Sequence, residues 1–238
     1  VLKIILISTP LSLISFYDDF KNISKIFRYL IHLITGLFLL FNSNLINFIS
    51  TNYDNFLNFI IIILSLIFIT SLINISNFMD GIDGLVVGSF TIIFSALAIK
   101  VDFNYVFIAC TLCFFIRWNW SPATIFMGDS GSTLLGSIYA GTLINASNIW
   151  NALAISLMSM PLIIDSTLCI FWRFFNGYSI FKAHKMHLYQ RLVLSGFSHE
   201  RVTIFYLLSI IFITIFYLMG NIFLEFLAVG IITTIGFY

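Results

Sequence analysis

Apolar residues fill most of the chain in long runs that short polar stretches interrupt, and the run lengths carry the first reading. A helix of about 20 apolar residues spans a hydrocarbon core about 30 Å thick. Nine candidate runs occur, at 2–16, 29–49, 56–73, 85–99, 105–116, 133–146, 150–171, 202–219 and 222–237. The pattern predicts an all-α, polytopic integral membrane protein with about nine transmembrane helices, because backbone in lipid must satisfy its own hydrogen bonds. No repeat or linker divides it, so residues 1–238 read as a single membrane-embedded domain. The longest polar stretch, 172–201, is too short to bury a core of its own.

The connections alternate in character. Those at 50–55, 100–104, 147–149 and 220–221 are plain, whereas those at about 17–28, 74–84, 117–132 and 172–201 are rich in acids, amides, glycines and imidazoles. With nine crossings the four rich loops fall on one side. Nine of the eleven Lys and Arg residues lie in or beside them: Lys21, Lys25, Arg28, Arg117, Arg173, Lys182, Lys185, Arg191 and Arg201. The positive-inside rule makes that side cytoplasmic.

Composition sharpens the class. The chain is 60% hydrophobic and 9% charged, with a net charge of +1. A soluble domain is nearer a quarter charged, and a balanced charge leaves no footprint for nucleic acid. Cys110, Cys113 and Cys169 sit in apolar runs without zinc-cluster spacing and read as small buried hydrophobes.

Four polar constellations carry the chemistry. Asp18-Asp19 follows the first run; adjacent carboxylates can ligate a cation, act as a base or cap the next helix. Asn74 to Gly84 holds Asn77, Asp80 and Asp83 at i, i+3 intervals, which would share one face if the stretch were helical. Their oxygens are hard ligands suited to Mg²⁺, and Gly81 and Gly84 admit close approach of backbone to a ligand. The segment from Arg117 to Ser132 contains Asn119 and the tetrapeptide Gly128-Asp129-Ser130-Gly131, which fits a helix start facing phosphate oxygens. In the fourth, His184, His187 and Arg191 are spaced i, i+3, i+7, one face of a helix and a cationic surface for a diphosphate. Asp165, inside the seventh run, reads as a structural partner for a neighbouring helix.

These four motifs, in this order from about Ser15 to Arg201, resemble the polyprenyl-phosphate N-acetylhexosamine-1-phosphate transferases of glycosyl transferase family 4. The resemblance implies transfer of an N-acetylhexosamine 1-phosphate from a UDP-sugar to undecaprenyl phosphate, releasing UMP, at the start of cell-wall or O-antigen-like polysaccharide synthesis. It also implies Mg²⁺ as cofactor, with Mn²⁺ as the alternative. The partners would be a UDP-N-acetyl amino sugar, undecaprenyl phosphate, the lipid bilayer and, as an assembly, a homodimer. The location would be the bacterial inner membrane, with the active site on the cytoplasmic face.

Carried onto this chain, the resemblance implies that Asp129 ligates the metal with Asn77 as its partner. Asp18 would orient or deprotonate the acceptor phosphate, with Asp19 beside it. Asp80 and Asp83 would hold the nucleotide-sugar or the metal's waters, and Asn119 and Gly128 would line the pocket. His187, His184 and Arg191 would hold the diphosphate or sugar. The chain departs from many relatives in carrying Tyr189-Gln190-Arg191 where they have a run of His, which leaves the sugar open. Family members also carry about two spans upstream, so the expectation is a chain that begins inside such a protein. The rival readings are a membrane transporter with carboxylates on its cytoplasmic face and an inactive truncated relative.

Overall fold

The computed structural model describes residues 1–21, 23–52, 54–178 and 185–237, in which every regular element is a helix. In chain order these are α1 (Leu2–Lys21), α2 (Lys25–Phe41), α3 (Asn44–Asn52), α4 (Asn55–Phe78), α5 (Leu85–Lys100), α6 (Tyr105–Asn119), α7 (Gly128–Ile144), α8 (Ile149–Met158), α9 (Met160–Phe175), α10 (Leu188–Leu194), α11 (His199–Met219) and α12 (Ile222–Phe237). The all-α membrane class holds. Among the described residues α4 and α11 are long and apolar enough to cross a membrane, and α8 with α9 would form a third crossing if bent helices count as one. α5, α6 and α12 are apolar but shorter.

The helices depart from the apolar runs in several places; α4 runs on past 73 to Phe78, and α7 starts at Gly128, five residues before the run at 133. α1 continues past the first run to Lys21, so Asp18 and Asp19 are helical rather than in a loop. The run at 29–49 is two helices, α2 and α3. Between them the Asn42 amide donates to the Phe38 carbonyl at 2.8 Å and the Ser43 hydroxyl to the Leu40 carbonyl at 2.7 Å. Side chains that bond to the preceding turn in this way compete with continuation of the backbone ladder. The run at 150–171 is α8 and α9, bent by 80° at Ser159. Pro161 at the start of α9 lacks the amide hydrogen an unbroken helix would use and crowds the preceding turn.

The described residues form two compact units. The first comprises 1–77 and 127–153. Its centre is α7, buried almost continuously from Ser132 to Ile144. α1 lies against it through Ile4, Ser8, Leu11, Ser15 and Asp18, a 4-3-4-3 spacing that forms one helical stripe. Small residues let the helices come close: Ser15 and Thr133 hydroxyls are 3.3 Å apart, and a Cβ on Gly141 would meet Ile4 Cγ2 at 2.6 Å. Membrane helices associate by such packing because lipid gives them no hydrophobic drive to pair.

α4 keeps its polar residues by bonding them back along the helix. Thr70 donates to the Leu66 carbonyl at 2.8 Å, Asn74 to Thr70 at 2.7 Å and Ser76 to Leu72 at 2.9 Å. Its buried side chains are confined to 69–76, while Phe56, Phe59, Leu64, Ile67 and Phe68 are exposed. A bilayer covers such a surface; water would not tolerate it.

The second unit comprises 78–126 and 154–238. Here α5 is the buried helix, paired with α6 through the turn at 101–104 and with α11, whose Leu207 lies 2.8 Å from where a Cβ on Gly88 would sit. α11 turns into α12 at Gly220, which takes a left-handed conformation (φ 73°).

Candidate active site

In the first unit the polar residues collect where α1 ends and α7 begins. Arg28, on the first turn of α2, places Nη1 3.0 Å from Asp18 Oδ2 and 2.8 Å from Asp129 Oδ2. Asp18 is buried and also accepts from the Ile23 amide. Asp129 is about one-third exposed, in the first turn of α7. Negative charge is favoured at that end of a helix, where amides point outward without intrahelical partners.

Asp19 is exposed and takes one of those amides, the backbone N–H of Asp129. Partial burial, then the negative charges of Asp129 and Asp18, push its carboxyl above the usual carboxylate range despite that amide and Arg28. Gly128 opens the helix with φ 69°, a conformation glycine adopts at little cost. A Cβ there would also lie 3.0 Å from Asp19 Oδ2. Asn77, at the end of α4, donates to Ser132 Oγ at 3.2 Å, one turn along α7 from Asp129. Asp18, Asp19, Asn77, Gly128 and Asp129 are therefore brought near one another at the start of α7.

Three carboxylates around one guanidinium leave an excess of negative charge that suits a divalent cation. No group of three or more His, Cys, Asp or Glu side chains among the described residues forms a cage for one. Mg²⁺ ordinarily takes only one or two carboxylates and completes its shell with water and substrate phosphate. The donor set is of the kind that ion takes.

In the second unit, α4 has ended at Phe78, and residues 79–84 form a turn anchored by buried Met79 and Ile82. Asp80 and Asp83 are therefore not on one helix face with Asn77, as a continuous helix would have placed them. Asp83 is held from several directions. Its carboxylate accepts from the Ala123 amide at 3.3 Å and lies 3.3 Å from His199 Nδ1, and its carbonyl accepts from Thr203 Oγ1 at 2.7 Å. Asn119 is buried and ties two loops: its Oδ1 accepts from the Gly84 amide at 3.2 Å and its Nδ2 donates to the Ile125 carbonyl at 3.0 Å.

The fourth motif is built differently from a helical face. α10 starts at Leu188, and His187 is its N-cap with extended backbone (φ −59°, ψ 149°), so His187 and Arg191 do not share a helical stripe. The cause is Asp165. Its buried carboxylate accepts from the Leu188 amide at 2.7 Å, the Tyr189 amide at 3.2 Å and the Tyr206 hydroxyl at 2.7 Å, and lies 3.6 Å from His187 Nδ1. His187 is buried, Arg191 is exposed, and His184 lies outside the described residues. The structural role expected of Asp165 is what the contacts show.

Sequence reasoning missed Arg28 as a bridge and Tyr189, His199 and Thr203 as supports. Arg28 shares its loop with Lys21 and Lys25 and has a partner 101 residues away, and the other three have partners more than 100 residues away, so no local signal marked any of them.

Comparison with known proteins reaches part of this chain. Residues 1–147 match the family described as Glycosyl transferase family 4. A probable undecaprenyl-phosphate N-acetylglucosaminyl 1-phosphate transferase of Bacillus subtilis is 32% identical over 148 residues, 56% of this chain and 40% of that protein. A decaprenyl-phosphate N-acetylglucosaminephosphotransferase of Mycobacterium tuberculosis is 36% identical over 106 residues, 38% of this chain and 26% of that protein. A phospho-N-acetylmuramoyl-pentapeptide-transferase of Enterococcus hirae is 31% identical over 140 residues, 55% of this chain and 43% of that protein. The alignments thus span less than half the length of each of these relatives.

Proposed function

The chain belongs to glycosyl transferase family 4, and on that premise we propose that it transfers an N-acetylhexosamine 1-phosphate, or a related amino-sugar 1-phosphate, from a UDP-sugar to undecaprenyl phosphate. The reaction would open cell-wall or O-antigen-like polysaccharide synthesis at the cytoplasmic face of a bacterial inner membrane. An oxygen of the acceptor phosphate attacks the sugar-bearing phosphorus of the donor. A new P–O–P bond forms, the bond to the α-phosphate breaks, and UMP leaves with the bridging oxygen.

The observation that carries this reading is the meeting of Asp18, Asp19 and Asp129 around Arg28 at the first turn of α7, inside the segment the family matches. Bound Mg²⁺, held by Asp129 and Asn77, would supply charge neutralisation on the diphosphate. Asp18 orients the acceptor phosphate or takes its proton. Asp80 and Asp83 are assigned the nucleotide-sugar, Asn119 and Gly128 further contacts to substrate, and His184, His187 and Arg191 the diphosphate. The donor diphosphate and the acceptor phosphate are both anions and must approach each other, so positive charge held at the site is what the reaction needs most. A transporter would place its acids near mid-membrane. Here Asp18, Asp19 and Asp129 lie at helix ends and Asp80 and Asp83 in a turn, which favours the transferase.

The test uses membranes carrying the protein, undecaprenyl phosphate, Mg²⁺ and a panel of labelled UDP-N-acetyl sugars. A lipid-linked labelled product is expected with at least one sugar, abolished by chelation and restored by Mg²⁺. Asp129→Asn should remove turnover with little loss of folded protein. Absence of product with every sugar overturns the proposal.

A further inference from the structure

Tyr189 is 1% exposed, in the first turn of α10 next to the polar segment of His187. Its hydroxyl donates to the Phe78 carbonyl at 2.9 Å, the last residue of α4, and accepts from Gln190 Nε2 at 3.0 Å. Its ring stacks on His187 with centroids 5.7 Å apart. Its amide is held by Asp165, which fixes the start of α10. One residue therefore touches both the segment bearing His187 and Arg191 and the turn bearing Asp80 and Asp83.

The contact with the turn is tight. A Cβ on Gly81 would lie 2.1 Å from the Tyr189 hydroxyl oxygen and 2.9 Å from Cζ, so no larger residue fits at 81 while Tyr189 stays in place. Burial, then the nearby carboxylate of Asp165, push the phenol above its ordinary value; the Gln190 hydrogen bond lowers it, and Asp80 adds a smaller rise. The protonated hydroxyl is the donor to Phe78.

We infer that Tyr189 is a positioning residue for nucleotide-sugar binding: it sets the spacing between the Asp80–Asp83 turn and the start of α10, which carries His187 and Arg191, with Asp165 as its anchor. The inference rests on the transferase reading above and adds a residue that touches no substrate. Both segments it joins are assigned to the donor, and the acceptor phosphate is assigned to Asp18. Loosening the strut therefore penalises one substrate and spares the other. A misplacement of about 1 Å at such a distance costs as much as a hundredfold in rate.

The experiment measures kinetics in membranes carrying wild type, Tyr189→Phe, Gly81→Ala and the double variant, with both KM values determined separately. Tyr189→Phe is expected to raise KM for the UDP-sugar about tenfold and leave KM for undecaprenyl phosphate within about twofold. Its apparent melting temperature in detergent should stay within about 3 °C of wild type. Gly81→Ala disturbs the same contact from the other side, and keeps the test open if the Phe variant does not fold. Adding Tyr189→Phe to Gly81→Ala should restore at least about fivefold of kcat/KM, because residues in contact are not additive. An unchanged donor KM, an equal loss for both substrates, or additive damage in the double variant overturns the positioning role while leaving the transferase reading intact. No product from wild type overturns the transferase reading first.

Discussion

Gly136→Ala tests how the first unit positions Asn77. α4 meets α7 at this glycine, where an added Cβ would lie 2.6 Å from Ser76 Oγ, 2.8 Å from Ser76 Cβ and 3.0 Å from the Cα of Ile73. The hydroxyl is held by the Leu72 carbonyl, and a Cα cannot rotate away. Restoring ordinary carbon contacts of about 3.5–4.0 Å requires α4 to retreat by about 0.5–1 Å. Overpacking of this kind costs about 1–3 kcal/mol, and the better helix propensity of Ala returns about 1 kcal/mol. The net loss of about 1 kcal/mol corresponds to roughly 2–4 °C in a chain of this size.

The effect on turnover should be larger. Asn77 follows Ser76, and its 3.2 Å bond to Ser132 is made one turn before Gly136 on α7. A retreat of that size breaks the bond and shifts the proposed metal ligand, with an expected loss of about 10–100-fold in kcat. Gly141→Ala is the control: its Cβ would meet only side-chain atoms, Ile4 Cγ2 at 2.6 Å and Leu39 Cδ2 at 3.2 Å, which can turn aside. It should shift the melting temperature by a similar few degrees and turnover by less than about twofold. Lipid-linked product formation and thermal unfolding in the same detergent decide the matter. Near-wild-type turnover in Gly136→Ala, or equal loss in Gly141→Ala, would refute the reasoning.

Three further outcomes are expected. Arg28→Gln should lower the apparent melting temperature by about 3–8 °C, since a half-exposed bridge lies between the worth of surface pairs and buried ones; an unchanged melting curve counts against the bridge. Asp165→Asn keeps one acceptor oxygen but loses charge-assisted bonds to two amides and a phenol, for about 2–3 kcal/mol; Tyr206→Phe added to it should cost less than it does alone. Asp19 binds its proton more tightly in the folded protein than in the unfolded chain, so its ionisation weakens the fold as pH rises through the raised folded-state value. Melting curves of wild type and Asp19→Asn should coincide below the usual carboxylate range and diverge above it, with the variant more stable; parallel curves from pH 4 to 7 would contradict this.

Much of the site was legible because it is written in short local motifs. Asp18-Asp19 and Gly128-Asp129 each fall at the end of an apolar run, and helix ends are where unsatisfied amides and charges gather. Boundaries were less legible, because α1 continues into polar sequence and Asn42-Ser43 and Pro161 break runs that hydropathy leaves whole. The helical spacing of His187 and Arg191 misled for a different reason. A carboxylate 23 residues upstream in sequence, Asp165, captures the amides at 188 and 189 and starts the helix only after His187. Arg28 looked like one cation among many in a basic loop, because nothing local reveals a partner 101 residues away.

Because α1 runs on to Lys21, its two neighbouring acids point about 100° apart around the helix axis. One looks inward to a guanidinium, and the other looks outward to a neighbouring amide. They are written as a doublet but have separate occupations, so lengthening each by one methylene should give two unlike phenotypes. Asp18→Glu must find room in a packed interior, whereas Asp19→Glu need only shift an exposed carboxylate on the Asp129 amide.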